Sequence, residues 1–135
     1  LQMARLVHKL CLELILEGLI ASAHDCSEGG LGVALAESCI SHPQTPRGAV
    51  LDIKSTIRND ACLFGESQSR ILVSFPAKNR VVVDEKAKAM GVPFAVIGKV
   101  GGDSLIININ GKEFINEKIS ILKKIWWGAL ESHVR

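Results

Sequence analysis

Ala23-His24-Asp25-Cys26-Ser27-Glu28-Gly29-Gly30-Leu31-Gly32, running on into Val33-Ala34-Leu35-Ala36-Glu37, is the stretch on which the reading of this 135-residue chain turns. An apolar segment at 19–23 leads into polar residues that favour turns and caps, then two glycines, then apolar residues at helical spacing. That order predicts strand, loop and helix. N–H groups left free at a helix start lie at the positive end of the helix dipole, so an anion can dock there, and phosphate is the first candidate. A purely structural reading stands beside it: Asp25 and Ser27 cap the helix while Gly29 and Gly30 permit the turn.

Outward from this stretch, Met3, Leu6, Val7, Leu10, Cys11, Leu14 and Ile15 recur at three- and four-residue intervals, which predicts an amphipathic helix over 2–17 ended by Gly18. The helix after the loop is expected over 31–40. Pro43 and Pro46 then turn the chain before a strand at 49–53, and Asn59-Asp60 caps a short helical turn leading to Leu63-Phe64. A second polar cluster, Gly65-Glu66-Ser67-Gln68-Ser69-Arg70, sits immediately before an apolar strand at 71–75 that Pro76 closes. A helix over 78–90 stops at Gly91 and Pro93, and 94–100 reads as another strand. Asn110-Gly111 signals a type I′ hairpin between strands at 104–109 and 112–115. A last helix over 119–132 carries Ile121, Leu122, Ile125, Trp126 and Leu130 at helical spacing. Adjacent Trp126 and Trp127 cannot share one face, so one is expected in the core and the other against another domain. Four helices and five or six strands in mixed order, with a hairpin, predict an α+β fold: a two-layer mixed β-sheet covered by helices.

A chain of this length with 47% hydrophobic and 22% charged residues fits a single globular domain, 1–135. The net charge of +2 comes from interspersed signs, and four Phe and two Trp offer no stacking platform, so nucleic acid is not an expected partner. No apolar run reaches membrane-spanning length and no leader pattern is visible, so no membrane role is expected either. The start at Leu1 is compatible with a piece of a longer chain. Cys11, Cys26, Cys39 and Cys62 lie far apart without a C-x-x-C pair, as buried free thiols of a reducing cytoplasm would. His24-x-Cys26 lacks further nearby ligands and reads as part of the loop rather than a metal site.

With both polar clusters in view, the chain resembles the carboxy-terminal half of the phosphoribosylformylglycinamidine synthase family. The stretch from His24 to Glu37 is similar to its H-D-x-S-(D/E)-G-G-L-x-V-A-L-A-E signature, and Leu63-Phe64-Gly65-Glu66-Ser67-Gln68-Ser69-Arg70 to its L-F-(G/S)-E-S-Q-x-R segment. Ile97-Gly98-Lys99-Val100-Gly101-Gly102-Asp103 resembles its I-G-x-V-G-G-D turn, and Trp127-Gly128-Ala129-Leu130 its terminal W-x-G-A-L helix. The match covers nearly the whole chain and fits the last domain of the small-subunit type, in which no glutaminase domain follows.

The resemblance implies the fold of the carboxy-terminal domain of aminoimidazole ribonucleotide synthetase. It also implies a share in an ATP- and Mg²⁺-dependent ligase of purine synthesis, converting formylglycinamide ribonucleotide and glutamine-derived ammonia to formylglycinamidine ribonucleotide. The implied partners are the remainder of the synthase chain, a glutaminase subunit and a small accessory subunit, in the cytoplasm. By the same analogy Asp25, Ser27, Gly29, Gly30, Glu66, Ser67, Gln68 and Arg70 border substrate or nucleotide, the two segments lying side by side. The alternative is that Glu66 and Arg70 pair with each other or with a neighbouring domain. Most ATP and metal ligands of the family belong to the preceding domain, so this chain alone is expected to be inactive and His24 receives no catalytic role. Two rivals remain: a sibling synthetase or kinase of the superfamily, and a free-standing phosphometabolite-binding domain.

Overall fold

The computed structural model describes residues 1–42 and 44–134; Pro43, expected in the turn before the strand at 49–53, and the side chain of Leu130, expected on the last helix face, lie outside the described residues. The order is α1 (Gln2–Leu16), β1 (Ser22–Asp25), α2 (Gly30–Ile40), β2 (Ala49–Ile53), α3 (Asn59–Phe64) and β3 (Ile71–Ser74). A 3-10 turn (Ala77–Asn79) follows, then α4 (Arg80–Ala89), β4 (Gly98–Val100), β5 (Ser104–Ile109), β6 (Lys112–Lys118) and α5 (Ile119–Val134). Two compact units divide the chain, the first of Leu1–Ala34 with Leu63–Val96 and the second of Leu35–Cys62 with Ile97–Arg135.

In the first unit, Leu10 and Leu14 of α1 and Val83 and Ala87 of α4 form a buried cluster. Both helices stop in the same way. Gly18 (φ +67) and Gly91 (φ +68) adopt the left-handed conformation. Gly18 N–H and Leu19 N–H then donate back to Ile15 and Leu14, and Gly91 N–H and Val92 N–H to Lys88 and Ala87. These are paired Schellman caps. The residue after each glycine, Leu19 or Val92, packs against the cluster. Lys86 Nζ reaches Glu17 Oε1 at 2.8 Å, and that bond raises the Lys86 pKa. The seven apolar positions expected on one face of α1 span too wide an arc for a single neighbour: Leu10 and Leu14 are buried, whereas Met3 and Ile15 are exposed.

The strand expected at 19–23 lies at Ser22–Asp25 instead, paired antiparallel with β3. Leu19 and Ile20 are apolar because they pack on the helical core, and pairing begins only where Ala21 N–H donates to Ser74 O. The strand expected at 94–100 shortens to Gly98–Val100 for the same reason, since Phe94 packs on that core, 6.1 Å from the Phe75 ring.

The second unit is built on a mixed four-stranded sheet in the order β4-β2-β5-β6, in which β2 and β5 run parallel and the outer pairs antiparallel. Ala49, Leu51 and Ile53 stand opposite Leu105, Ile107 and Ile109, and all six are buried. At about 1.5–3 kcal/mol for each large side chain removed from water, this double row is the unit's main apolar stabilisation. The mixed sheet and helices agree with the expected fold class, but β1 and β3 form a separate two-stranded sheet. Strand β6 also runs three residues further than expected, to the pairing of Lys118 with Ser104. Helix α5 buries Ile119 and exposes Ile121, Ile125 and both tryptophans, Trp126 by 46% and Trp127 by 47%, so neither indole is in the core. Cys26, Cys39 and Cys62 are buried free thiols and Cys11 is half-buried; burial pushes the Cys39 thiol up to about 11. Among the described residues, no helix is long and apolar enough to cross a membrane.

Asn110 (φ +52) and Gly111 (φ +79) form the expected tight hairpin turn between β5 and β6. The Asn110 side chain adds a clamp: Oδ1 accepts from Ser55 N–H at 3.0 Å and Nδ2 donates to Ser55 O at 2.8 Å. Replacing Asn110 by Gly keeps the turn and loses the clamp, while Ala loses both. We expect urea unfolding followed by circular dichroism to show losses of about 1 kcal/mol for Asn110→Gly and about 2–3 kcal/mol for Asn110→Ala.

Candidate functional site

The two polar clusters meet within the first unit. Strands β1 and β3 pair with Asp25 opposite Ile71, and Cys26 N–H donates to Arg70 O at 3.0 Å, extending the ladder by one bond. The segment leaving β1 therefore runs alongside the segment entering β3. His24 and Asp25, expected in the loop, are the last residues of β1.

Gly29 (φ +75) and Gly30 (φ +73) then turn the chain into the first turn of α2. Gly30 is buried, and a Cβ there would lie 2.7 Å from Leu63 O and 2.9 Å from Gly65 O. The start of α2 thus touches the end of α3 and the residue after it backbone to backbone, at a distance only a residue without a side chain permits. Across this seam Gly29 N–H donates to Glu66 Oε1 at 3.1 Å. Arg70 closes the far side, its Nη2 donating to Gly65 O at 2.7 Å, while Nε is buried with no partner among the described residues. Ser69 takes a left-handed φ of +68, which bends the loop back toward β3.

These bonds revise the cap reading. Ser27 Oγ donates to Asp25 Oδ2 at 2.5 Å, so the two side chains expected to cap the helix hold each other. The Gly29 N–H goes instead to Glu66, which puts a carboxylate where the sequence suggested phosphate. The electrostatic logic is unchanged, because a negative group meets the positive end of a helix. Glu66 and Arg70 do not spend these bonds on each other: one takes Gly29 N–H and the other holds Gly65 O. Glu66, Ser67 and Gln68 are exposed, as are Asp25 and Ser27, whereas Arg70 is half-buried behind them. The exposed rim therefore offers carboxylate, hydroxyl and amide groups, suited to hydrogen bonding with hydroxyls and amides.

Sequence reasoning passed over two participants. The carbonyls of Leu63 and Gly65 carry the contact with Gly30, and backbone acceptors leave no mark in a sequence beyond the glycines that approach them. Cys26 is 2% exposed; burial pushes its thiol pKa up, the Arg70 charge opposes that and Asp25 adds to it, so the thiol is a packing group and a poor nucleophile. His24 Nδ1 lies 2.6 Å from Asp25 O, a local contact at the strand end. Among the described residues, no three His, Cys, Asp or Glu side chains gather to hold a metal ion.

Gly30→Ala should cost at least about 2 kcal/mol, from the left-handed backbone and the collision with two carbonyls. Gly18→Ala, whose Cβ would meet nothing among the described residues within 4 Å, should cost only the backbone part, about 1 kcal/mol. Urea unfolding of the two variants side by side separates conformational strain from the close approach.

The model of the family described as AIR synthase related protein, C-terminal domain, matches residues 1–109. Among curated proteins, the phosphoribosylformylglycinamidine synthase subunit PurL of Moorella thermoacetica is 42% identical over 126 residues, which cover 93% of this chain and 17% of that protein. Among solved structures, T. maritima PurL complexed with FGAR matches with a TM-score of 0.77 and 19% identity, covering 89% of this chain and 21% of that one. T. maritima PurL complexed with ATP matches with a TM-score of 0.76 and 19% identity, covering 87% of this chain and 21% of that one. The structural likeness speaks to fold, and the chain spans about a sixth of the length of the curated relative, 17%. With the family model covering most of its length, the chain belongs to the AIR synthase related protein, C-terminal domain family.

Proposed function

We propose that this chain acts as the carboxy-terminal domain of a phosphoribosylformylglycinamidine synthase, an ATP-dependent carbon–nitrogen ligase that makes formylglycinamidine ribonucleotide from formylglycinamide ribonucleotide and glutamine-derived ammonia. The observation that carries the proposal is the joining of two motif segments, far apart in sequence, through Gly29 N–H to Glu66 and Cys26 N–H to Arg70, in a chain 42% identical to a PurL subunit. In this reading residues 1–135 form one domain that supports and binds rather than catalyses. ATP and Mg²⁺ are handled chiefly by the remainder of the synthase chain, and the working complex includes a glutaminase subunit and a small accessory subunit, all in the cytoplasm. The exposed Trp126 and Trp127 are the side chains offered to that remainder.

The site assignment belongs to the same proposal. Asp25, Ser27, Gly29 and Gly30 form one wall and Glu66, Ser67, Gln68 and Arg70 the other. Carboxylates at Asp25 and Glu66 favour the hydroxyl and amide groups of a ribonucleotide at this rim over a bare phosphate, which would meet like charge.

The test is an exchange of domains. Substituting this chain for the matching segment of the Moorella thermoacetica PurL subunit should leave ammonia-dependent formation of formylglycinamidine ribonucleotide, assayed with Mg·ATP, within about tenfold of the parent. A folded, inactive chimera would overturn the family function. Within an active chimera, Gln68→Ala should weaken formylglycinamide ribonucleotide binding by about five- to tenfold in calorimetry. Unchanged affinity for that ribonucleotide, Mg·ATP and Mg·ADP would remove the site assignment and leave the domain assignment standing.

A further inference from the structure

We infer that Arg70 is a positioning residue: it sets the place of the Glu66 carboxylate, and with it the start of α2, by holding the carbonyl of Gly65. The Arg70 Nη2 bond to Gly65 O is 2.7 Å long, short and charge-assisted. That carbonyl belongs to the planar peptide whose nitrogen is Glu66 N, so fixing the oxygen fixes the plane from which the Glu66 side chain departs. Glu66 Oε1 then accepts from Gly29 N–H at 3.1 Å. The same Gly65 oxygen lies 2.9 Å from the place a Cβ on Gly30 would occupy, so its position also sets how closely the helix approaches the loop. One guanidinium thus controls both a hydrogen bond and a steric contact across the seam.

The side chain is well placed to do this. Arg70 is half-buried, and its Nε is buried with no acceptor among the described residues. The backbone of Arg70 is anchored separately, since its carbonyl accepts Cys26 N–H at 3.0 Å. Removing the guanidinium therefore frees Gly65 without releasing the strand ladder. Arg70 acts through Gly65 and Glu66 and need not touch a ligand, so the inference stands on this geometry whether or not the rim binds a ribonucleotide.

Amide hydrogen exchange, followed by NMR on the 135-residue chain, tests it. Arg70→Met and Arg70→Lys should each speed exchange at Gly29 about tenfold and leave Cys26, bonded to the Arg70 backbone, unchanged. Lysine fails because its hydrated ammonium is not held in a buried fork. Glu66→Ala should give the same loss at Gly29, and Glu66→Gln, whose amide oxygen still accepts, should restore protection. If Arg70→Met does not fold, Arg70→Lys carries the test. Unchanged exchange at Gly29 in the Arg70 variants, an unmoved Gly29 in Glu66→Ala, or Gly29 and Cys26 losing protection together would overturn the inference, as would failure of both Arg70 variants to fold.

Discussion

The close approach of Gly30 to the carbonyls of Leu63 and Gly65 is the constraint around which the first unit is arranged. A helix that meets another backbone without an intervening side chain needs a residue lacking Cβ, a left-handed turn leading into it and a partner for the N–H groups at its start. Gly29 and Gly30 meet the first two needs and Glu66 the third. The motif reads as one because its parts are not separately replaceable. Glycine sets the distance, carboxylate answers the dipole, and arginine steadies the loop that carries the carboxylate.

Behind this seam lies an ordinary apolar core held by economical chain reversals. The two Schellman caps place Leu19 and Val92 against the helices they have just left, so each reversal also adds apolar contact. The Glu17–Lys86 bond ties the end of one helix to the side of the other, but both side chains are part-exposed and its contribution is small. In the second unit the buried rows of β2 and β5 carry the stabilisation, while Asn110 holds the 54–56 loop to the hairpin that follows them.

Much of this was legible in the residues. Helix ends were read from Gly18 and Gly91, the hairpin from Asn110-Gly111, and β2 to the residue from Ala49 to Ile53, because turn chemistry and buried alternation are local signals. The misplacements share one cause. Leu19-Ile20 and Phe94 look like strand starts, yet their apolarity belongs to the helical core, and a sequence shows that a residue is buried without showing what buries it. The tryptophan expected in the core errs the other way, since a large aromatic ring suggests burial and here both Trp126 and Trp127 lie outward. At the candidate site, motif resemblance singled out the residues and their adjacency, but the bonding pattern was out of reach. Nothing in the spacing says that Ser27 turns to Asp25, or that Glu66 rather than an external anion meets Gly29.

The parallel pairing of β2 with β5 carries a consequence for how the molecule comes into being. Residues 49–53 are synthesised well before their partners at 105–109, and much of the intervening chain, 63–96, belongs to the other unit. Closing so long a loop is entropically costly and slow, so the second unit must wait for a distant strand. The first unit has all of its residues once Val96 has left the ribosome, with β4 and β5 still held inside it. Vectorial synthesis therefore gives the glycine seam and its arginine brace the first chance to form, leaving β2 the longer-exposed strand of the nascent chain.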